Sequence, residues 1–166
     1  MARPDEIMHI ADRFGAIAKE FCSIVDSAPD LDRTDLLRKL YPVLPILISE
    51  AIGLPDVSRD DTDELQKATR RGSDVGGFSE QEWGKLNNFL KEKLEDWDLY
   101  HQVFDPTEDS EAIFGTLADD MADIYRDLND GLSFREKHPD LPAEDAIWTW
   151  RLLFYSHWEN TRWTLC

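Results

Sequence analysis

The run LADDMADIYRDLNDG, residues 117–131, holds five aspartates within twelve positions. On an α-helix, where each residue turns by about 100°, Asp120, Asp123, Asp127 and Asp130 fall on one stripe about 80° wide. Carboxylates at i, i+3 and i+7 of one helix can hold Mg²⁺ or Mn²⁺ against a phosphate substrate. Asp120, Asp123 and Asp127 are therefore the candidate ligands of a metal-dependent phosphohydrolase. Such a site needs acids from a second helix, and Asp12, Glu20, Glu92 and Glu95 lack the doublet spacing. Lys and Arg to hold a phosphate are also sparse near the C-terminus. The commoner use of a charge run is a solvated face with one or two acids paired across the bundle.

The second chemically unusual segment is AIWTWRLLFYSHWENTRW, residues 146–163, which contains four of the six tryptophans. At helical spacing Ala146, Ile147, Trp150, Phe154 and His157 share one face, and Trp148, Leu152, Tyr155 and Trp163 the opposite one. Core is the commoner role of the first face. A half-buried Arg151 at its edge and His157 within it need anionic or carbonyl partners. The sequence thus predicts a polar cluster of Asp120, Asp127, Arg151 and His157. It leaves Asp123, Asp130, Trp148, Tyr155 and Trp163 as a candidate interaction surface.

Elsewhere the pattern assigns no catalytic residue, cofactor or metal. His9, His101 and His138 have no ligand spacing to one another, and Cys22 and Cys166 are unclustered, as expected in a reducing compartment. There is no nucleophile elbow, phosphate loop, dinucleotide fingerprint or zincin motif. Net charge is −17. It deepens along the chain, from −3 over residues 1–55 to −6 over 56–105 and −8 over 106–166. Such a surface repels nucleic acid and anionic lipid and attracts a cation or a basic protein; solubility alone is the other use of such charge. The acidic start of the chain does not read as a secretory signal, and the apolar stretch Tyr41 to Leu54 is too short to span a bilayer. The expectation is a cytoplasmic protein, more plausibly a binding module of the immunity or adaptor kind than an enzyme.

These residues must be carried by helices. Ile7, Ile10, Phe14, Ile17, Phe21 and Ile24 recur at spacings of three and four and predict a first helix over residues 5–27. A second, over 32–52, contains Pro42 and Pro45 and is expected to kink or split. Residues 55–79 read as a polar, glycine-rich connector, with a short helix over 61–70 at most. Ser79 and Glu82 form a capping box that opens a third helix ending near residue 96. A loop to residue 110 precedes a fourth helix over 110–136, capped by Asp109 or Ser110, and a fifth runs from Pro142 to about Trp163. No period-2 run argues for a strand. Fold class is all-α: one up-and-down bundle of about five helices over residues 1–166.

The blocks LADDMADIYRDL at 117–128 and IWTWRLLFYSHW at 147–158, with YHQVFDP at 100–106 before them, resemble the bacterial domain-of-unknown-function family DUF5063. The likeness covers residues 80–163 well and the first 55 loosely, as a helical pair. It implies an all-helical fold and brings no activity with it. The family's closing motif of histidine, tryptophan, glycine, any residue and histidine stands here as His157, Trp158, Glu159, Asn160 and Thr161. The second histidine of a pair is therefore missing. One expectation of this reading is kinetic: amides of the 55–79 connector should exchange with solvent far faster than those of the fourth helix. Comparable protection in hydrogen-exchange mass spectrometry would contradict it.

Overall fold

The computed structural model describes residues 3–57, 77–102, 113–139 and 142–158. The expected helix over 61–70, most of the connector, Asp109, Ser110 and Trp163 lie outside the described residues. Helix α1 spans Pro4–Asp26, with a proline in its first turn and Asp5 and Glu6 at the positive end of its dipole. A 3₁₀ turn at Ala28–Asp30 leads to α2, Arg33–Ile52, whose N-cap Asp32 accepts from the amide of Asp35 at 2.8 Å.

Helix α2 is continuous through Pro42 and Pro45, against the expectation of two pieces. Both prolines stand on the exposed side of the helix. The carbonyls of Arg38 and Tyr41, which lose their i+4 donors to these prolines, therefore sit on the wet side, where water can satisfy them.

Helix α3, Glu80–Leu94, opens on the expected capping box: Ser79 Oγ accepts from the Glu82 amide, and the Glu82 carboxylate accepts from the Ser79 amide at 2.9 Å. A 3₁₀ turn follows at Glu95–Trp97. The expected loop then proves to hold a strand, and the first turn of the expected fourth helix holds its partner. Strand β1, Leu99–Gln102, and strand β2, Ile113–Thr116, lie antiparallel with Tyr100 opposite Gly115 and His101 opposite Phe114. Four residues per strand are too few to print a period-2 signal, and Leu99 and Phe114 on the outer face are exposed.

Helix α4, Leu117–Lys137, accordingly starts seven residues later than the sequence suggests and is capped by Thr116, not by Asp109 or Ser110. Helix α5, Ala143–Leu153, follows Pro142 and passes into a π turn at Phe154–Trp158, beyond which the expected end at Trp163 lies outside the described residues.

The helices pack as a bundle in which α1 touches α2, α4 and α5, while α4 lies between α1 and α3. The second and third helices are tied chiefly at their ends: Lys93 Nζ donates to the Leu31 carbonyl, and Arg33 pairs with Glu95 and Asp96. The core is built from the predicted stripes. Phe14 and Phe21 of α1, Leu36, Leu40 and Leu47 of α2, Leu90 and Leu94 of α3, Met121 and Leu128 of α4, and Ile147 and Trp150 of α5 are all buried.

At the centre the Trp150 ring meets Phe14 at 4.9 Å between centroids, tilted by 51°. Its indole N–H points at the Leu128 carbonyl, 3.4 Å away. That position exists because residue 131 is glycine: a Cβ there would lie 2.0 Å from Trp150 Nε1. Gly84 on α3, by contrast, has nothing within 4 Å of where a Cβ would stand. The same Gly→Ala change should therefore have opposite signs at the two sites. Gly84→Ala gains helix propensity and should stabilise by about 0.5–1 kcal/mol. Gly131→Ala overpacks a wedged ring and should destabilise by about 1–3 kcal/mol. Urea unfolding midpoints of the two variants check this.

Candidate functional site

The aspartate stripe forms where α4 meets α3 and the strand pair, and its placement begins at the helix N-terminus. The first amides of a helix have no intrahelical acceptor. Here Leu117 N–H donates to the Asp98 carbonyl at 2.8 Å, and Ala118 N–H donates to Asp98 Oδ1 at 2.8 Å. Asp98 is buried and, with Thr116, is the true cap. It lies on the segment before β1, so no local sequence signal marks it as the partner of a helix that starts nineteen residues later.

From that anchor the acids meet donors from separate elements. Asp119 Oδ1 accepts from Asn87 Nδ2 of α3 at 2.9 Å; Asn87 is itself buried, and its Oδ1 accepts no hydrogen bond. Asp120 Oδ2 accepts from the Tyr100 hydroxyl of β1 at 2.6 Å. Tyr100 can lie there because its strand partner is Gly115, where a Cβ would stand 2.4 Å from the ring. Asp123 Oδ1 accepts from Trp83 Nε1 at 2.9 Å and from Arg126 at 2.8 Å. Arg126 also lies 3.8 Å from the buried Asp127 and 3.8 Å from Glu80, with its guanidinium 5.7 Å from the Trp83 ring centroid. Asp130 Oδ1 accepts from the Phe78 amide at 2.9 Å, just before α3. Burial pushes the Asp130 carboxyl above the usual range, with the Phe78 amide and Arg126 opposing that shift.

Of the predicted polar cluster, Asp120 turns to Tyr100 of β1, the buried Asp127 lies 3.8 Å from Arg126 of its own helix, and Arg151 lies against the segment after α2. Arg151 NH1 donates to the Leu54 carbonyl at 3.4 Å, its Nε lies 3.7 Å from Asp56, and its guanidinium stacks on Tyr155 at 4.8 Å. The carboxylate beside Arg151 is that of Asp56, four residues beyond the end of α2. The side chain of His157 is outside the described residues.

The candidate interaction residues divide too. Asp123 and Asp130 are half-buried and engaged within the fold, while Trp148 is half-buried and Leu152 and Tyr155 are exposed on the outer face of α5. Among the described residues no three His, Cys, Asp or Glu side chains are grouped so as to hold a metal ion. Nor, among them, is any helix long and apolar enough to cross a membrane. The sequence reading missed Trp83, Asn87, Tyr100 and Arg126 as partners of the stripe. The signal available was modest: polar or amphipathic groups at i and i+4 of α3, and a tyrosine one strand away.

Two outcomes follow from this geometry. An Asp carboxyl raised by folding lends stability that is present below its unfolded range, near pH 4, and lost as pH rises through the folded value. Asp130→Asn keeps the acceptor for Phe78 and removes that titration. Its stability relative to wild type should therefore improve between about pH 3 and pH 7; a flat difference in urea midpoints would contradict this. Gly115→Ala should dislodge Tyr100 from Asp120 and destabilise by about 1–3 kcal/mol. Adding Gly115→Ala to Tyr100→Phe, which already lacks the hydroxyl, should cost less, a coupling that a double-mutant cycle reads directly.

No curated protein matches the chain. Among solved structures it is similar to protein BF1032 from Bacteroides fragilis, with a TM-score of 0.69 and 21% identity over 92% of this chain and 84% of that one. At that identity the likeness speaks to the fold. The family model described as a domain of unknown function, DUF5063, matches residues 5–162, so the N-terminal helical pair belongs to the same unit as the aspartate and tryptophan blocks. The chain is a member of the DUF5063 family.

Proposed function

We propose that this chain is a non-catalytic, cytoplasmic binding module that takes a basic protein partner, in the manner of a small immunity or adaptor protein. The observation that carries this reading is the division of labour on α5. One face, Ala146, Ile147, Trp150 and Phe154, is sealed in the core, while Leu152 and Tyr155 on the other remain 48% and 40% exposed beside the half-buried Trp148. Aromatic anchors with a polar surround are what protein interfaces concentrate. The chain around them carries −17, which favours a cationic partner and accelerates its approach.

The stripe acids support the same reading in a different way. Asp119, Asp120 and Asp130 accept from the neutral donors Asn87, Tyr100 and the Phe78 amide, which fixes the carboxylates in place. Outside the stripe, Glu80, Asp96 and Glu95 are 85%, 77% and 69% exposed at the side chain.

The test is capture from an extract of the native host at stepped ionic strength. A basic protein should be retained at low salt and released as salt rises through the range that screens exposed charge. Tyr155→Ala with Leu152→Ala should raise its dissociation constant by about tenfold or more without lowering the melting temperature. Hydrolysis of a phosphomonoester that needs Mn²⁺ and disappears in Asp120→Asn or Asp127→Asn would overturn the proposal in favour of a metal-dependent phosphohydrolase.

A further inference from the structure

Where α3 ends, Glu95 adopts φ 52° and ψ −121°. Among the described residues it is the only one other than glycine with a positive φ. These angles mirror the first central position of a type II turn, a place that glycine dominates. With a Cβ the conformation is strained, and it persists only where the surroundings over-determine it.

The surroundings here are chiefly one side chain from another helix. Arg33 NH1 donates to Glu95 Oε2 at 3.0 Å and to Asp96 Oδ1 at 2.8 Å, and its guanidinium lies 4.7 Å from the centroid of the Trp97 ring. All three residues of the 3₁₀ turn are thus engaged by Arg33. Lys93 Nζ reinforces the junction by donating to the Leu31 carbonyl, two residues before Arg33. Arg33 is the first residue of α2, where the positive end of the helix dipole disfavours a cation, so the helix itself gives no reason for arginine there. Both acids are largely exposed, and exposed ion pairs are individually weak. The strain they offset is of the same small order, so the turn is held close to balance.

What the turn carries is the cap of α4. The Asp98 amide donates to the Glu95 carbonyl at 3.2 Å, while the Asp98 carbonyl and carboxylate accept from the Leu117 and Ala118 amides at 2.8 Å each. Asp119 and Asp120 stand on that first turn of α4, and Tyr100, two residues after Asp98, bonds Asp120. Glycine at position 95 would hold the turn with no partner at all. Glutamate makes the same geometry conditional on Arg33. We infer that Arg33 and the Glu95–Trp97 turn form a conformational latch between α2 and the start of α4. Engaged, the latch keeps Glu95 in its strained form and Asp98 on the first amides of α4. With Arg33 withdrawn, Glu95 relaxes to negative φ, Asp98 leaves Leu117 and Ala118, and the first turn of α4 frays. The N-terminal helical pair thereby controls the start of the aspartate helix.

Residue-resolved hydrogen exchange of the full chain by NMR tests the latch. In Arg33→Gln the Leu117 and Ala118 amides should exchange about tenfold faster or more, while those of Leu40 and Leu44 in the middle of α2 keep their wild-type rates. The Arg33 side chain is 33% exposed and lies outside the core, so the variant keeps its fold. The second variant separates a latch from an ordinary ion pair. Glu95→Gly removes the strain along with the carboxylate, so adding it to Arg33→Gln should bring Leu117 and Ala118 back to within about threefold of wild type. An ion pair without stored strain predicts no such rescue, because both changes then only remove contacts. Three results overturn the inference: Leu117 and Ala118 still protected in Arg33→Gln, the centre of α2 accelerated as much as they are, or a double variant that exchanges as fast as Arg33→Gln alone.

Discussion

A carboxylate taken out of water must be met by donors, and the acids of α4 impose that condition on everything packed against it. Asp119, Asp120, Asp123 and Asp130 accept from Asn87, Tyr100, Trp83 and the Phe78 amide in turn, so α3 is held along the length of α4 by polar contacts as well as by Leu90 and Leu94. Hydrogen bonds to a charged acceptor contribute about 1.5–3 kcal/mol each, against about 1 for neutral pairs. Each is also expensive to break from one side, because the stranded carboxylate stays half-buried. The short strand pair follows from the same condition. Its backbone ladder is brief, but Tyr100 must reach Asp120 across Gly115, and Asp98 must reach the first amides of α4.

The other half of the bundle is governed by volume. On α1 the residues facing α4 and α5 include Ala11, Gly15 and Ala18, all buried, and α4 offers Ala118, Ala122 and Gly131. Small residues let backbones approach, and the space this opens beside Gly131 is filled by the indole of Trp150. Interiors are packed to crystalline density, so a ring in such a slot has little freedom to move aside. The two halves meet on α4. Polar donors fix one flank of it and close packing the other, which is why this helix lies between α1 and α3 although α1 is distant from it in sequence.

Helix existence and the core stripes were legible from periodicity because burial selects the same i, i+3, i+4 positions that a pattern search looks for. The Ser79–Glu82 capping box was legible because both of its bonds are local. What was not legible depends on contacts distant in sequence. Asp98 caps α4 across the strand pair, and Thr116 takes over a start that Asp109 and Ser110 seemed better suited to provide. The unbroken α2 follows from solvent on one side of Pro42 and Pro45, which sequence alone does not reveal. Arg151 was read as needing an anionic or carbonyl partner, and it lies against the Leu54 carbonyl and Asp56, in a segment with no periodic signal. The acids of the stripe were found by type and spacing, whereas their partners Trp83, Asn87 and Tyr100 sit on other elements and no local pattern joins them to the stripe.

The way the stripe is satisfied bears on the choice between binding and hydrolysis. A catalytic metal needs carboxylate oxygens that converge on one point, with lone pairs left for the ion. From Asp119 to Asp130 the stripe spans eleven residues, about 16 Å of helix at the usual rise. Along it the acids turn to donors on different elements: the strand pair at one end, the middle of α3, and the chain before α3 at the other. Gathering Asp120, Asp123 and Asp127 around an ion would require giving up the Tyr100 and Trp83 bonds and displacing Arg126, whose own positive charge opposes a cation there. The same bonds suit a module that must hold its shape against its own charge. Carboxylates a few ångströms apart repel, and fixed N–H and O–H dipoles between them offset that repulsion.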